Sequence, residues 1–503
     1  MNNKFFKIFI LFFSIILTFI LWIPYIFCYF SNVDEPGYFA SALHLAKGKL
    51  LYKEVFEAKG PGIISIFTFF IRFFSENPTF SFHLFMFLIL VLDSLVIYKI
   101  LKKRISGDFA IYGFLFPVFL SCFYPVDMIT GPEIFVNFIV LFTFFIFLYS
   151  NKKIAIFLIG FFSGVTLLFK PFGIFYVFYF FILICLEERK LQTIFTFLLG
   201  AFVPSFSFLL YLYYKNLIND FYLWTVEYPI FVSSTIPIMK KIYFFFPMVG
   251  RIFLTNPFYI IYGLSFIFQK ENFKENFDII FLFVISLLWG ASHGLAFPHH
   301  YMVCIPFIFM ISIINFYKFE EKFLKNDRKI KTVLNLFVIF SVLQSLLYWH
   351  GFDFYKKWIE FIKEKKWTRN YEEKDLSEIL NFLRDNLNQK DKIVIWGLNP
   401  KIYFLGGFNS GTRFISSVEP VNGIVYYDVS KIIQFEKAEK MFIEEIKKKD
   451  VKFIVDATGK SLIGIPYYTL DKYPQIEKVI EEEYEQFSQD YNGCKIYKRI
   501  NTN

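Results

Sequence analysis

Cysteine is scarce in this chain: five residues in 503. Cys28, Cys122, Cys185 and Cys304 lie in or beside apolar runs, and only Cys494 falls in a soluble stretch. No two have the short spacing of a metal knuckle, and nothing resembles the even, closely spaced framework of a disulfide-stapled domain. Charge is also thin, at 19% of residues. A glycine-rich phosphate loop is missing; the turn "WGLNP" follows an expected strand but has no nucleotide-binding spacing. There is no internal repeat and no low-complexity linker. Together these gaps exclude a disulfide scaffold, a zinc module and a nucleotide-binding enzyme of the common kinds.

What fills the space is apolar sequence. Hydrophobic residues make up 56% of the chain, too much for a soluble domain, and they come in long runs separated by short charged knots. Runs of about 20 apolar residues match a bilayer core of about 30 Å. The expected fold is therefore a polytopic α-helical membrane protein. The net charge of +10 has its explanation in cytoplasmic loops enriched in Lys and Arg and calls for no nucleic acid. The opening run, Phe5–Phe30, is too long for a signal-peptide core and has no small-x-small cleavage site, so it is expected to stay as a first helix with a cytoplasmic N-terminus.

The basic knots set the orientation. Lys99–Arg104, Lys152–Lys153, Arg189–Lys190 and Lys318–Lys331 are placed in the cytoplasm by the positive-inside rule. The expected tally is about 11 crossings, near residues 5–30, 80–99, 108–126, 134–150, 154–169, 172–186, 192–214, 253–268, 278–294, 302–317 and 332–349. The run Ile63–Phe74 is too short to span and, with Tyr38–Ala46, is expected to form helices on the outer surface. From about Phe352 the composition turns soluble. "DLSEILNFLRDNL" and a charged stretch over Val429–Lys449 read as helices, and "KIVIWG", "RFISS" and "VKFIVDATG" as strands, with "YFLGG" as a short helix or loop; this is a small extracytoplasmic α/β domain. The expected domains are residues 1–350, including the first external loop 31–79, and residues 351–503.

That topology collects polar residues on the outer face. Asp34, Glu35 and Lys59 stand in the first external loop, Asp127 and Glu133 in the second. Lys170 breaks an apolar stretch at a hairpin, Arg251 follows the large loop, and His293, His299, His300 and Tyr301 lie at the mouth of a later helix; His44, His83 and His350 fall nearby. Each has a plain structural reading: Asp34 as a helix N-cap, Lys170 as a snorkelling side chain, His299 and His300 as members of an interfacial aromatic belt. A lysine inside an apolar run, however, costs about 2.5–3.5 kcal/mol on insertion scales. Acids and bases on one membrane face point to an anionic substrate and proton chemistry.

In their order along the chain, "DEPGYFASALHLAKGKLLYKEVFEAKGPG", "GPEIF", "GVTLLFKPFGI" and "FPHHYMVCIPF" resemble the motifs of the GT-C superfamily of membrane glycosyltransferases, in the branch of bacterial protein O-mannosyltransferase-like and lipid A aminoarabinose transferase-like enzymes. The resemblance runs over most of residues 1–350. It implies an inverting enzyme that moves a sugar from a polyisoprenyl-phosphate donor to a hydroxyl of a lipid A or core, glycan or protein acceptor at the outer face of the cytoplasmic membrane. It makes Asp34 the general base, with Glu35 beside it, and assigns Lys59, Lys170, Arg251, His300 and Tyr301 to the donor phosphate and Glu133 to the acceptor side or a metal. Where aminoarabinose transferases carry a metal-associated acid before the motif lysine, this chain has Ala58, and Gly60 replaces a proline. No cofactor is then required; the candidates for holding a divalent metal are Asp34, Glu133 and His300. Two other readings remain open: a flippase or carrier of polyisoprenyl-linked saccharides, for which Asp93 in mid-helix is the main intramembrane ionisable group, and a polysaccharide polymerase or ligase.

Overall fold

The computed structural model describes residues 3–27, 30, 34–123, 130–150, 152–187, 190–254, 256, 258–263, 274–292, 297–323, 340–341, 358–359, 362–363, 374–415, 419–422, 435–460, 469–487, 491 and 493–500. Asp127, His293 and His350, and the expected crossing at 332–349 apart from residues 340–341, lie outside them. The chain forms two compact units: residues 1–31, 80–210 and 236–367, and residues 32–79, 211–235 and 368–503.

The first unit is helical. Five helices are long and apolar enough to cross a membrane: Ile8–Ile26, Pro78–Arg104, Pro132–Tyr149, Leu191–Tyr214 and Pro298–Lys322. Each matches an expected crossing. Shorter apolar helices at Ile111–Ser121, Lys153–Phe169, Pro171–Glu187 and Phe277–Ser292 match four more. Of the expected crossing at 253–268, residues 253–254, 256 and 258–263 are described, with a helical stretch at Tyr259–Gly263, and the rest lie outside the described residues. An amphipathic helix runs from Ile238 to Leu254, with exposed Lys240, half-buried Lys241 and an internal Pro247. Asn256 then caps a new turn, its Oδ1 accepting the Phe258 N–H at 2.8 Å. An Asn-Pro pair is a helix start signal.

Helix contact within this unit relies on small residues. A methyl group added at Gly160 would stand 2.1 Å from the Phe197 carbonyl oxygen, and one at Gly164 would stand 2.3 Å from that of Ala201. The helices Lys153–Phe169 and Leu191–Tyr214 thus touch backbone to backbone, as helices in lipid do when dispersion replaces the hydrophobic effect.

The second unit opens with helix α2 (Glu35–Ala46), which Gly48 ends at φ +95°. Helix α3 (Pro61–Phe73) packs on it, Phe67 meeting the rings of Tyr38 at 5.3 Å and Phe39 at 4.7 Å. At 13 residues, ~20 Å long, α3 is too short to span, as expected. The C-terminal part is an α/β layer with sheet order β2-β1-β3-β5-β4: β1 (Lys392–Trp396), β2 (Asn409–Ser410) and β3 (Val451–Asp456) are parallel, and β4 (Tyr484–Gln486) and β5 (Lys495–Arg499) antiparallel. The helices Lys374–Asn386, Lys401–Gly406 and Glu436–Ile446 fall where expected; residues 423–434 of the expected charged helix lie outside the described residues. "RFISS" is not a strand over 413–415; the edge strand sits earlier, at Asn409–Ser410. Arg413 is drawn out of the ladder because its backbone N–H and Nε both donate to Glu445, each at 2.9 Å.

Residues 32–79, grouped with the spanning part in the sequence reading, thus share a compact unit with the C-terminal layer. The links are aromatic, as where Phe39 meets Phe404 at 5.0 Å and Phe56 meets Phe414 at 5.8 Å, and polar. Lys47 Nζ donates to Gly407 O at 2.7 Å and Asn409 Oδ1 at 2.9 Å, and Lys49 Nζ to Ser410 O at 3.0 Å. Burial and the neighbouring charge of Lys392 push Lys49 down to about 8. Phe56 N–H donates to Arg413 O at 2.8 Å.

Candidate functional site

In the second unit the site grows from the two ends of a short loop. Asp34 occupies the residue before α2, but its side chain makes no capping hydrogen bond and is exposed. The Asp34 side chain therefore does not act as an N-cap of α2. Glu35, the first helical residue, is fully buried instead. Pro36 in the first turn suits a helix start, where a missing N–H costs nothing.

Lys59 sits just before the Gly60–Pro61 start of α3. Its Nζ donates to the Tyr38 hydroxyl at 2.8 Å and lies 4.7 Å from the centroid of the Tyr38 ring. Its backbone is held from both sides: the N–H donates to Glu57 Oε1 at 3.1 Å, and the carbonyl accepts from the Tyr52 hydroxyl at 3.1 Å. Tyr52 reaches it because the turn places Tyr52 at φ 71° and closes with Tyr52 N–H on Val55 O at 2.7 Å. Burial alone would pull the Lys59 ammonium down, yet Tyr38, Glu57 and Asp34 outweigh it and hold the group well above its ordinary value. Burial pushes the Tyr38 phenol up, and the charges of Asp34 and Glu57 add to that. Lys59 therefore stays a cation, and Tyr38 stays protonated.

In the first unit a second cluster forms around Lys170. The Lys153–Phe169 helix ends there because Pro171 follows, forcing its predecessor to extended backbone (φ −148°, ψ 141°). The chain turns back at Gly173, where an added methyl group would meet Thr166 backbone at 2.6 Å. The lysine points inward: its Nζ is 2.5 Å from Glu133 Oε1 and 5.2 Å from the Trp289 ring centroid, and both ion-pair partners are buried. Glu133 lies in the first turn of the Pro132–Tyr149 helix, where a carboxylate meets the positive end of the helix dipole. His299 and His300, with ring centroids 4.2 Å apart, reach the same place. Ligand atoms of Glu133, His299 and His300 all lie within 4.8 Å of one another. Asn137 Nδ2 donates to Met302 O at 3.2 Å and ties the glutamate helix to the histidine turn. Tyr301 is buried over Gly290, and its ring centroid is 6.5 Å from that of Phe245. Arg251 stands six residues beyond Phe245 on the amphipathic helix, half-buried.

Of the residues singled out in sequence, Asp34, Glu35 and Lys59 thus belong to one cluster, and Glu133, Lys170 and His300 to another. Tyr38, Tyr52, Glu57 and Trp289 were not foreseen as parts of the site. Tyr38 had a readable signal, since it follows Asp34 by four residues and shares its helix face; Trp289 had none. The carboxylate-and-imidazole group is chemically suited to a divalent ion. Lys170 already takes that carboxylate, however, and an ammonium 2.5 Å from the oxygen opposes a second cation there, so the arrangement does not fit a resident metal.

No family model matches the chain, and no curated protein does. Solved structures do. ArnT from Cupriavidus metallidurans bound to undecaprenyl phosphate is similar with a TM-score of 0.58 at 10% identity, over 100% of this chain and 99% of that one. The same protein in the apo state gives 0.58 at 11%, over 98% of each chain. The archaeal oligosaccharyltransferase AglB from Archaeoglobus fulgidus, in complex with an inhibitory peptide and a dolichol-phosphate, gives 0.54 at 11%, over 99% of this chain and 74% of that one. The likeness is one of fold and extends through the C-terminal layer. The chain is a multi-pass membrane protein that shares the fold of these structures.

Proposed function

We propose that the chain is an integral-membrane inverting glycosyltransferase that moves a sugar from a polyisoprenyl-phosphate donor to a hydroxyl acceptor, a lipid, glycan or protein, on the outer face of the cytoplasmic membrane. The observation that carries this reading is the half-buried ammonium of Lys59. Among the described residues its side-chain hydrogen bond goes to a neutral phenol rather than a carboxylate. A half-buried ammonium whose side chain rests on a phenol keeps donors to give, and these suit an incoming anion. The start of α3 adds unpaired N–H groups and a favourable dipole at the same point. The fold supports the reading, since ArnT of the same fold was solved with undecaprenyl phosphate and AglB with a dolichol-phosphate.

The chemistry balances without a cofactor. The acceptor oxygen attacks the anomeric carbon as the bond from that carbon to the phosphate oxygen breaks, and the electron pair leaves on the polyisoprenyl phosphate. Asp34, exposed at the head of α2, takes the acceptor proton. Positioned bases of this kind contribute about 10²–10⁴ in rate. Lys59 stabilises the charge that grows on the phosphate. Within the first unit, Lys170, Arg251, His300 and Tyr301 are the further residues that the motif resemblance assigns to phosphate, with Glu133 holding Lys170 in place. No step passes through a metal.

One observation favours a carrier instead. Asp93 is fully buried in the Pro78–Arg104 helix, and among the described residues neither carboxyl oxygen has a hydrogen-bond partner. A saccharide path through the bilayer would use such a group. Transfer of radiolabelled sugar from polyisoprenyl monophosphate in membranes separates the two readings. Asp34→Asn is expected to lose transfer by about 10²-fold or more at unchanged protein level; full transfer in this variant would remove Asp34 as the base, and no transfer by the wild type would leave the carrier reading standing.

A further inference from the structure

We infer that Tyr38 is a donor-binding residue whose hydroxyl hydrogen-bonds the polyisoprenyl phosphate beside the Lys59 ammonium. The inference rests on the sugar-transfer reading and adds a residue that the sequence pattern did not single out.

The argument starts from what each group can give. A lysine ammonium has three N–H donors and no lone pair, so at 2.8 Å from Lys59 Nζ the Tyr38 oxygen is the acceptor. The phenol's single proton then points away from Lys59. Buried tyrosine hydroxyls are partnered as a rule, and among the described residues Lys59 is the hydrogen-bond partner of this one. Burial keeps the phenol protonated, so an O–H and an N⁺–H₃ stand side by side, ready for one acceptor. Position is well defined. The Tyr38 ring is wedged against Phe67, and Lys59 is clamped through its backbone by Glu57 and Tyr52. Glu57, 4% exposed, adds a counter-charge that preserves the ammonium and reaches Lys59 only through the main chain. The Nζ is therefore not consumed by a carboxylate.

A phosphate placed there would accept from both groups. As the sugar departs, the phosphodiester becomes a monoester and gains negative charge, so the phenol bond strengthens along the reaction. Tyr38→Phe removes only that hydroxyl and keeps the ring against Phe67.

The test measures binding of undecaprenyl monophosphate, and of the uncharged alcohol undecaprenol, to detergent-solubilised full-length protein, together with donor kcat/KM. For Tyr38→Phe the expected result is an about tenfold weaker monophosphate affinity, undecaprenol binding unchanged, and donor kcat/KM down by about tenfold or more. The acceptor KM and the melting temperature should stay at wild-type values, which a packing role would not guarantee. Wild-type monophosphate binding in Tyr38→Phe, with binding lost in Lys59→Met, would make Tyr38 a packing residue and overturn the inference alone. Undiminished monophosphate binding in both variants would overturn the donor reading itself.

Discussion

Lys170 and Glu133 are 37 positions apart in sequence, and their side chains meet at 2.5 Å. A buried pair of this kind is held by mutual need, because either charge left alone has no water to turn to. Lys170→Met is expected to destabilise the protein by about 3–5 kcal/mol by stranding the Glu133 carboxylate. The double variant Lys170→Met/Glu133→Leu should recover most of the melting temperature in detergent while transfer stays low. Recovery of both would reduce the pair to a structural filler. Lys170 was legible in sequence because a charge interrupts an apolar run; its partner was not, because nothing local to either residue specifies the other. The same holds for Lys59, which was readable before Pro61, whereas its clamp by Glu57 and Tyr52 depends on a turn with Tyr52 at positive φ, a conformation side chains rarely adopt.

At the scale of the element, the contact between Lys153–Phe169 and Leu191–Tyr214 is the part most sensitive to small changes. Gly164→Leu pushes a side chain into the Ala201 carbonyl, 2.3 Å from where its first carbon must go. The helices then separate, and the expected outcome is a melting temperature lower by several degrees and reduced recovery of folded protein, for a loss of about 2 kcal/mol or more. Gly250 is the control, because a methyl group there meets nothing within 4 Å. Gly250→Ala should be neutral or stabilising by up to about 1 kcal/mol through helix propensity. If both glycines tolerate substitution equally, the close backbone approach is not what joins the two helices. The helices themselves were legible from hydropathy, down to the break at Lys170–Pro171.

At the scale of the molecule, the first loop is joined to the C-terminal layer through His44. Its ring Nδ1–H donates to Ala40 O at 2.8 Å, and Nε2 accepts the Ser410 N–H at 2.9 Å. Both nitrogens are thus used, and only in the neutral form. Burial, with Lys49 nearby, pushes this histidine down to about 3, against an ordinary value of 6.5. The folded value lies below the unfolded one, so the unfolded chain binds more protons between them. Stability from this group is complete above about pH 6.5 and is lost as the pH falls toward about 3. Limited proteolysis between pH 7 and pH 4.5 should show the Ser410 region opening on the acid side in the wild type. In His44→Gln, cleavage should depend much less on pH; an equal acid response would assign the effect to other groups.

The sequence by itself determined the bilayer class, nine of the helices near their expected places, the two short helices Glu35–Ala46 and Pro61–Phe73, and the sites where charge interrupts apolar sequence. These are one-dimensional properties: the length of an apolar run, the position of a proline, the spacing of residues along one helix face. Only the tertiary structure decided that residues 32–79 fold with the C-terminal layer, that Lys59 rests on a phenol, and that Lys170 is neutralised by Glu133. Those pairings are made by packing between segments tens to hundreds of residues apart. Side-chain partners across such distances are set by which helix faces meet, and no local pattern encodes that choice.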